Sequence, residues 1–157
     1  MVRMRKYVIS DPEKCSGCCL CELICSGVKE RVFNPEKARI RVIKESPGFS
    51  IAFACHFCNE PPCVAACPNE ALSADENGVL SVAEENCTAC GVCVEACEFG
   101  VLILKPDAEL PVACDLCGGE PQCIKFCPES ALKLATFEEI VDGMRDEHLK
   151  KAVEKLI

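Results

Sequence analysis

Tryptophan is absent from the 157-residue chain and tyrosine occurs once, so aromatic side chains make up only 5% of it. Small domains ordinarily draw much of their buried area from aromatic bulk, and something else must fill this interior. No segment approaches the roughly 18 consecutive apolar residues of a membrane-spanning helix. The opening MVRMRKYVIS is basic but is not followed by the apolar stretch of a secretory signal. A cytoplasmic protein without a membrane span is expected. Beyond those first residues no Lys/Arg block appears, and 17 basic against 25 acidic residues give a formal charge of −8. That balance argues against nucleic acid as a partner and leaves docking to another protein open. Also missing are a phosphate-binding loop, a dinucleotide fingerprint, clustered carboxylates and a Ser/His pair. The length suits one compact domain or two small ones, not a large catalytic core. No turnover of a substrate by this chain alone is expected.

What the chain has in excess is cysteine, 17 in all. Without an export signal a disulfide framework is a poor account, because a reducing compartment keeps thiols reduced and an odd number leaves one unpaired. Sixteen of the 17 fall into four sets of four: Cys15, Cys18, Cys21 and Cys25; Cys55, Cys58, Cys63 and Cys67; Cys87, Cys90, Cys93 and Cys97; Cys114, Cys117, Cys123 and Cys127. The first and third sets share one spacing, while the second and fourth widen the middle gap. ACHFCNEPPCVAACPNEAL and ACDLCGGEPQCIKFCPESAL also share Ala-Cys, Glu-Pro, Cys-Pro and a closing Ala-Leu, which reads as internal duplication.

The spacing selects the metal. Structural zinc sites join two separated C-x2-C pairs around one tetrahedral ion. A continuous C-x2-C-x2-C-x3-C run instead wraps a cubane, and in two-cluster ferredoxins its fourth cysteine ligates the other cluster. Two such runs and two sets with a wider middle gap imply four 4Fe-4S clusters, with zinc the weaker alternative.

Strand candidates at residues 6–10, 38–44, 50–54, 101–105 and 131–134 surround the cysteine sets. ALSADENGVLSV reads as a hairpin in which Asn77 and Gly78 supply positive backbone dihedrals. The expected fold is α+β: two bacterial-ferredoxin-like units, an inner one at 50–105 inserted into a discontinuous outer one at 1–49 and 106–135, followed by a C-terminal helical tail at 136–157. Spacing alone leaves open a sequential arrangement, with sets one and two paired and sets three and four paired.

Over about residues 5–135 the four-set pattern resembles the polyferredoxin subunits with four 4Fe-4S clusters that serve molybdenum and tungsten oxidoreductases, formate dehydrogenases and some hydrogenases. CELICSGVKERVFNPEKARIRV, with Phe33-Asn34-Pro35 and then Ala38 to Val42, is most similar to small subunits that accompany tungsten aldehyde oxidoreductases and carbon monoxide dehydrogenase-linked systems. The resemblance implies a nested pairing. Carried onto this sequence, Cys15, Cys18 and Cys21 join Cys127, and Cys114, Cys117 and Cys123 join Cys25. In the inner unit Cys55, Cys58 and Cys63 join Cys97, and Cys87, Cys90 and Cys93 join Cys67. It further implies a non-catalytic electron-transfer subunit, relaying electrons between a pterin molybdenum or tungsten catalytic subunit, an aldehyde oxidoreductase above all, and a ferredoxin or flavin subunit. The alternatives are a hydrogenase or carbon monoxide dehydrogenase relay, or a freestanding polyferredoxin. Glu98 stands where the family usually has proline after the third set.

Several residues fall outside the ligand scheme. Cys19 is expected to be a packed, non-ligating thiol. Pro68 and Pro128 lack an N–H and should stop the helix that precedes each. Glu98 reads as solvated, His56 as a packing residue and His148 as surface. In the tail, Thr136 and Glu139 form a capping box, and Phe137, Ile140, Val141, Met144, Leu149, Val153 and Leu156 recur at helical intervals, interrupted by Gly143.

Overall fold

The computed structural model describes residues 5–45, 48–107 and 109–143. Short strands and helices alternate along them: β1 (Lys6–Ser10), α1 (Leu20–Glu30), β2 (Ile40–Glu45), β3 (Phe49–Ala54), α2 (Pro62–Ala65), β4 (Leu72–Ala74), β5 (Leu80–Val82), α3 (Val92–Glu95), β6 (Ile103–Leu104), β7 (Pro111–Val112), α4 (Gln122–Lys125), β8 (Leu132–Thr136) and α5 (Phe137–Gly143). The class is α+β. Four two-stranded antiparallel sheets form, β1·β8, β2·β3, β4·β5 and β6·β7. Sheets this small are marginal by themselves, so their stability depends on what packs between them.

β1 and β8 pair from Lys6↔Thr136 to Ser10↔Leu132 and so close the two ends of the described chain on each other. Helices follow the same nesting: α1 packs on α4, and α2 on α3. The pairing of β2 with β3, Ile40↔Ala54 to Glu45↔Phe49, and of β6 with β7 straddles the boundaries expected between the units at 49/50 and 105/106. Expected strand 101–105 shrinks to two residues, because Val101 and Leu102 are 2% exposed and serve as core plugs ahead of the strand.

The same plug recurs after other cysteine sets. Ala71-Leu72 and Ala131-Leu132 are buried in the same way, and these are the closing Ala-Leu pairs of the duplicated segments. Each buried core cluster mixes such aliphatics with thiols: Cys25 and Cys123 in one, Cys63 and Cys93 in the other.

The hairpin at residues 72–82 forms, with a correction at its turn. Gly78 N–H donates to Asp75 O (2.9 Å) and Asp75 N–H to Val79 O (2.9 Å), while Asp75 Oδ1 accepts from the N–H groups of Asn77 and Val79. This is a type I turn closed by one left-handed residue, and only Gly78 (φ 81°) takes positive φ; Asn77 does not.

The capping box at the start of the tail is present: Thr136 N–H donates to Glu139 Oε2 (2.7 Å) and Glu139 N–H to Thr136 Oγ1 (3.3 Å). Val141 of α5 is buried. The rest of the expected tail helix, with Met144, His148, Leu149, Val153 and Leu156, lies outside the described residues. No helix among the described residues is long and apolar enough to cross a membrane.

Candidate metal centres

In every set the third and fourth cysteines are four residues apart and flank or share one helix: Cys21/Cys25 in α1, Cys63/Cys67 at α2, Cys93/Cys97 at α3 and Cys123/Cys127 at α4. Cys63, Cys93 and Cys123 sit in these short helices and are 6–8% exposed. The fourth cysteine follows two residues after the helix, its N–H donating to Val64 O, Val94 O or Ile124 O at 3.1–3.2 Å. Its own carbonyl then accepts from the N–H of Glu70, Gly100 or Ser130, each in the left-handed region. The turn is the same after Cys97, which Glu98 follows, as after Cys67-Pro68 and Cys127-Pro128. Proline is therefore compatible with this helix end and not its cause.

The first set departs from this pattern. α1 continues past Cys25 for more than a turn, to a left-handed Arg31. Ser26, fully buried, holds it there by donating Oγ–H to Glu22 O (3.0 Å) and accepting the Asn34 N–H (3.2 Å).

The second cysteine of each set is reached through a left-handed residue: Gly17 (φ 69°), Phe57 (46°), Ala89 (54°) and Leu116 (55°). Only one of the four is glycine. Holding a non-glycine residue there costs on the order of 1–3 kcal/mol, and such strain clusters at functional sites.

These local turns bring the sixteen thiols around four cavities. Cys55, Cys58, Cys63 and Cys97 line one. Cys67, Cys87, Cys90 and Cys93 line a second. Cys25, Cys114, Cys117 and Cys123 line a third. Cys15, Cys18, Cys21 and Cys127 line a fourth, where Cys19 is also present. Each helix, together with the turn that follows it in α2, α3 and α4, thus stands between two cavities and gives one thiol to each. Among the described residues no three His, Cys, Asp or Glu side chains converge closely enough to share a single metal ion. The thiols surround volumes instead of points, an arrangement that fits a polynuclear cluster and not a lone tetrahedral zinc.

Burial pushes the thiols of Cys21, Cys114 and Cys123 up to about 12 and that of Cys55 to about 11, from an ordinary 9.0. Without a metal these groups stay neutral, so metal uptake must displace their protons. Backbone N–H groups already aim at several sulfurs: Arg39 to Cys25 (3.3 Å), Ala71 to Cys67 (3.3 Å) and Leu116 to Cys114 (3.4 Å). The Ala71 donor shifts the Cys67 thiol downward.

Cys19, the odd thiol, is the left-handed N-cap of α1, and its Sγ lies 3.5 Å from Gly17 O. That contact occupies its S–H, and Cys15, Cys18, Cys21 and Cys127 already supply four donors. Cys19→Ser should leave the iron content unchanged, and loss of one cluster's iron from a folded variant would show that Cys19 is a ligand.

His56 stacks on Phe99 at 3.8 Å between ring centroids and 12° between planes. Its Nδ1 is buried without a partner, and burial lowers its pKa. Glu98 is exposed at the rim of the Cys55 cavity. Reasoning from sequence missed a group of ions around the Cys25 cavity: Lys29 Nζ to Asp115 Oδ2 (2.6 Å), Arg39 Nη2 to Glu30 Oε1 (3.2 Å) and Lys105 Nζ to Glu30 Oε2 (2.7 Å). Its members come from positions 29 to 115, so no local pattern signals it.

Residues 49–137 match the family described as a 4Fe-4S dicluster domain. The chain is 45% identical over 139 residues to the polyferredoxin-like subunit of an aliphatic sulfonate oxidoreductase from Pyrococcus furiosus, covering 86% of this chain and 80% of the relative. It is 31% identical to a thiosulfate reductase electron transfer subunit from Salmonella typhi, over 85% of this chain and 78% of that one. In solved structures a similar fold occurs in the active-site complex BamBC of benzoyl coenzyme A reductase, with a TM-score of 0.51 and 24% identity over 97% of this chain and 98% of the other.

Proposed function

The chain belongs to the 4Fe-4S dicluster family, and we propose that it carries four 4Fe-4S clusters and relays electrons for a separate catalytic subunit. It is an iron-sulfur electron-transfer subunit of an oxidoreductase and not itself a catalyst, in line with relatives named a polyferredoxin-like subunit and an electron transfer subunit. The observation that carries the four-cluster reading is the gathering of sixteen thiols, four to a cavity, from sets that lie far apart in sequence.

The assignment is nested. Cys15, Cys18, Cys21 and Cys127 hold one cluster and Cys25, Cys114, Cys117 and Cys123 another, in the outer unit. Cys55, Cys58, Cys63 and Cys97 hold a third and Cys67, Cys87, Cys90 and Cys93 the fourth, in the inner unit. A cubane of this kind supplies one-electron transfer with little rearrangement. The chain's own residues hold it by thiolate, keep water from it with Val101, Leu102, Leu72 and Leu132, and direct backbone N–H groups at its ligand sulfurs. Helices that give one thiol to each of two cavities keep neighbouring clusters close within each unit.

The catalytic partner is a pterin-bearing molybdenum or tungsten oxidoreductase, of the aldehyde oxidoreductase kind, and the acceptor is ferredoxin or a flavin subunit. Phe33-Asn34-Pro35 with Ala38 to Val42 supports this metal and partner class, while the 45% identity to a subunit of an aliphatic sulfonate oxidoreductase supports an oxidoreductase as the partner. Anaerobic purification of the chain with whatever large subunit accompanies it tests both levels. About 16 iron and 16 sulfide per chain are expected, four of each for every cubane, together with tungsten or molybdenum in the large subunit. Zinc in place of iron, or about half the iron, removes the four-cluster reading. Nickel in the partner would instead make this a hydrogenase or carbon monoxide dehydrogenase relay.

A further inference from the structure

The four cavities differ in charge. Lys29 and Arg39 line the Cys25 cavity, whereas no lysine or arginine lines the other three. Both side chains are largely buried, at 18% and 17% exposed. Arg39 lies 3.2 Å from Glu30 and 3.7 Å from Asp115, Lys29 is 2.6 Å from the same Asp115 oxygen, and Lys105 is 2.7 Å from Glu30. Three cations share two carboxylates, leaving an excess of one positive charge beside the cavity. The Nε of Arg39 is buried with no acceptor in the protein, and the same residue's backbone N–H already points at Cys25 Sγ.

The other outer cavity has no cation in its lining and charges of both signs around it, with Lys44 Cε 3.2 Å from where a Gly17 Cβ would sit. Glu129 lines it, and Glu22, only 8% exposed, follows directly on Cys21, fixed by the Val42 N–H at 2.9 Å. In the inner unit the Cys55 cavity has Glu98 at its rim and Arg5 bonded to Phe57 O nearby (2.6 Å), which offset one another, and no charged side chain lines the Cys67 cavity.

Reduction makes a cubane one unit more negative. A buried positive excess favours that form, and a buried carboxylate opposes it. We infer that Lys29 and Arg39 set the potential of the cluster held by Cys25, Cys114, Cys117 and Cys123 and make it the highest of the four, so that an electron entering the chain comes to rest there. This rests on the four-cluster assignment above. The electron comes from the reduced partner, or from dithionite in a titration, and no bond is made or broken.

An anaerobic redox titration of the full chain, followed by low-temperature EPR, tests it. In both Lys29→Gln and Arg39→Gln the first cluster to be reduced should show about a tenfold lower ratio of reduced to oxidised form at fixed potential, a shift of about 59 mV for one electron. The lower-potential steps should stay in place. Lys29→Gln with Asp115→Asn restores the net charge and should return the step most of the way, an outcome that simple structural damage would not give. A first step that does not move in iron-replete variants, or movement of a lower step, overturns the inference while leaving the cluster assignment intact. If Arg39→Gln fails to retain iron, Lys29→Gln and its double variant decide alone. Wild-type chain without about 16 iron removes the assignment and this inference together.

Discussion

Cys127→Ser and Cys21→Ser should each abolish the same EPR signal of the reduced chain, although the two residues stand 106 positions apart. Both line one cavity, together with Cys15 and Cys18. Cys67→Ser should instead remove the signal shared with Cys90, because those two line another. In each case about a quarter of the iron, four atoms of about 16, is expected to go. The physical reason lies in the helices. With Cys63 inside α2 and Cys67 just past its end, one thiol faces the cavity shared with Cys97 and the other the cavity shared with Cys93. A sequential arrangement would make Cys67 and Cys21 variants lose the same signal, and that result would show that the thiol groupings do not survive cluster binding.

The thiols themselves were legible because cluster ligation imposes a short, nearly fixed spacing on the chain. The hairpin and the capping box at Thr136 were legible for a similar reason: each depends on residues within a few positions of one another. What escaped is mostly non-local. Strands were expected near residues 38–44 and 50–54, but their pairing with each other as β2·β3 was not drawn. The Ser46-Pro47-Gly48 sequence between them is a turn signal that could have joined them. The length of α1 was missed because it depends on Ser26, whose partners lie on both sides of the helix end. Phe57, Ala89 and Leu116 give no sign of their left-handed conformations, since no propensity favours those residue types there. That backbone is imposed by the demand that the next cysteine face its cavity. The ion group around Arg39 joins positions 29, 30, 39, 105 and 115, and only the folded chain brings them together.

One of these imposed turns can be attacked without touching a thiol. Gly78→Ala should cost the protein the cluster of Cys55, Cys58, Cys63 and Cys97. Gly78 has φ 81°, and a Cβ built on it would lie 2.8 Å from Phe57 Cβ, 2.9 Å from Phe57 O and 3.1 Å from Phe57 C. Two of those three atoms are backbone, so no rotamer change relieves the contact. Phe57 cannot retreat either: it is 2% exposed, lies 6.3 Å from the Tyr7 ring and is itself held at φ 46° immediately before Cys58. The hairpin loop would therefore push directly on the turn that presents Cys55 and Cys58 to their cavity. The left-handed conformation alone costs alanine about 1–2 kcal/mol, and the overlap adds to it. Gly48→Ala separates the two contributions, since Gly48 has φ 86° but a Cβ there meets nothing within 4 Å. Iron assay and thermal unfolding of both variants should show Gly48→Ala modestly destabilised with its iron intact, and Gly78→Ala more destabilised and short by about a quarter of the iron, one cubane in four. Equal behaviour of the two would mean that the 55–58 loop yields to the hairpin, and that the cluster, once bound, holds its own ligands in place against the pressure of the neighbouring turn.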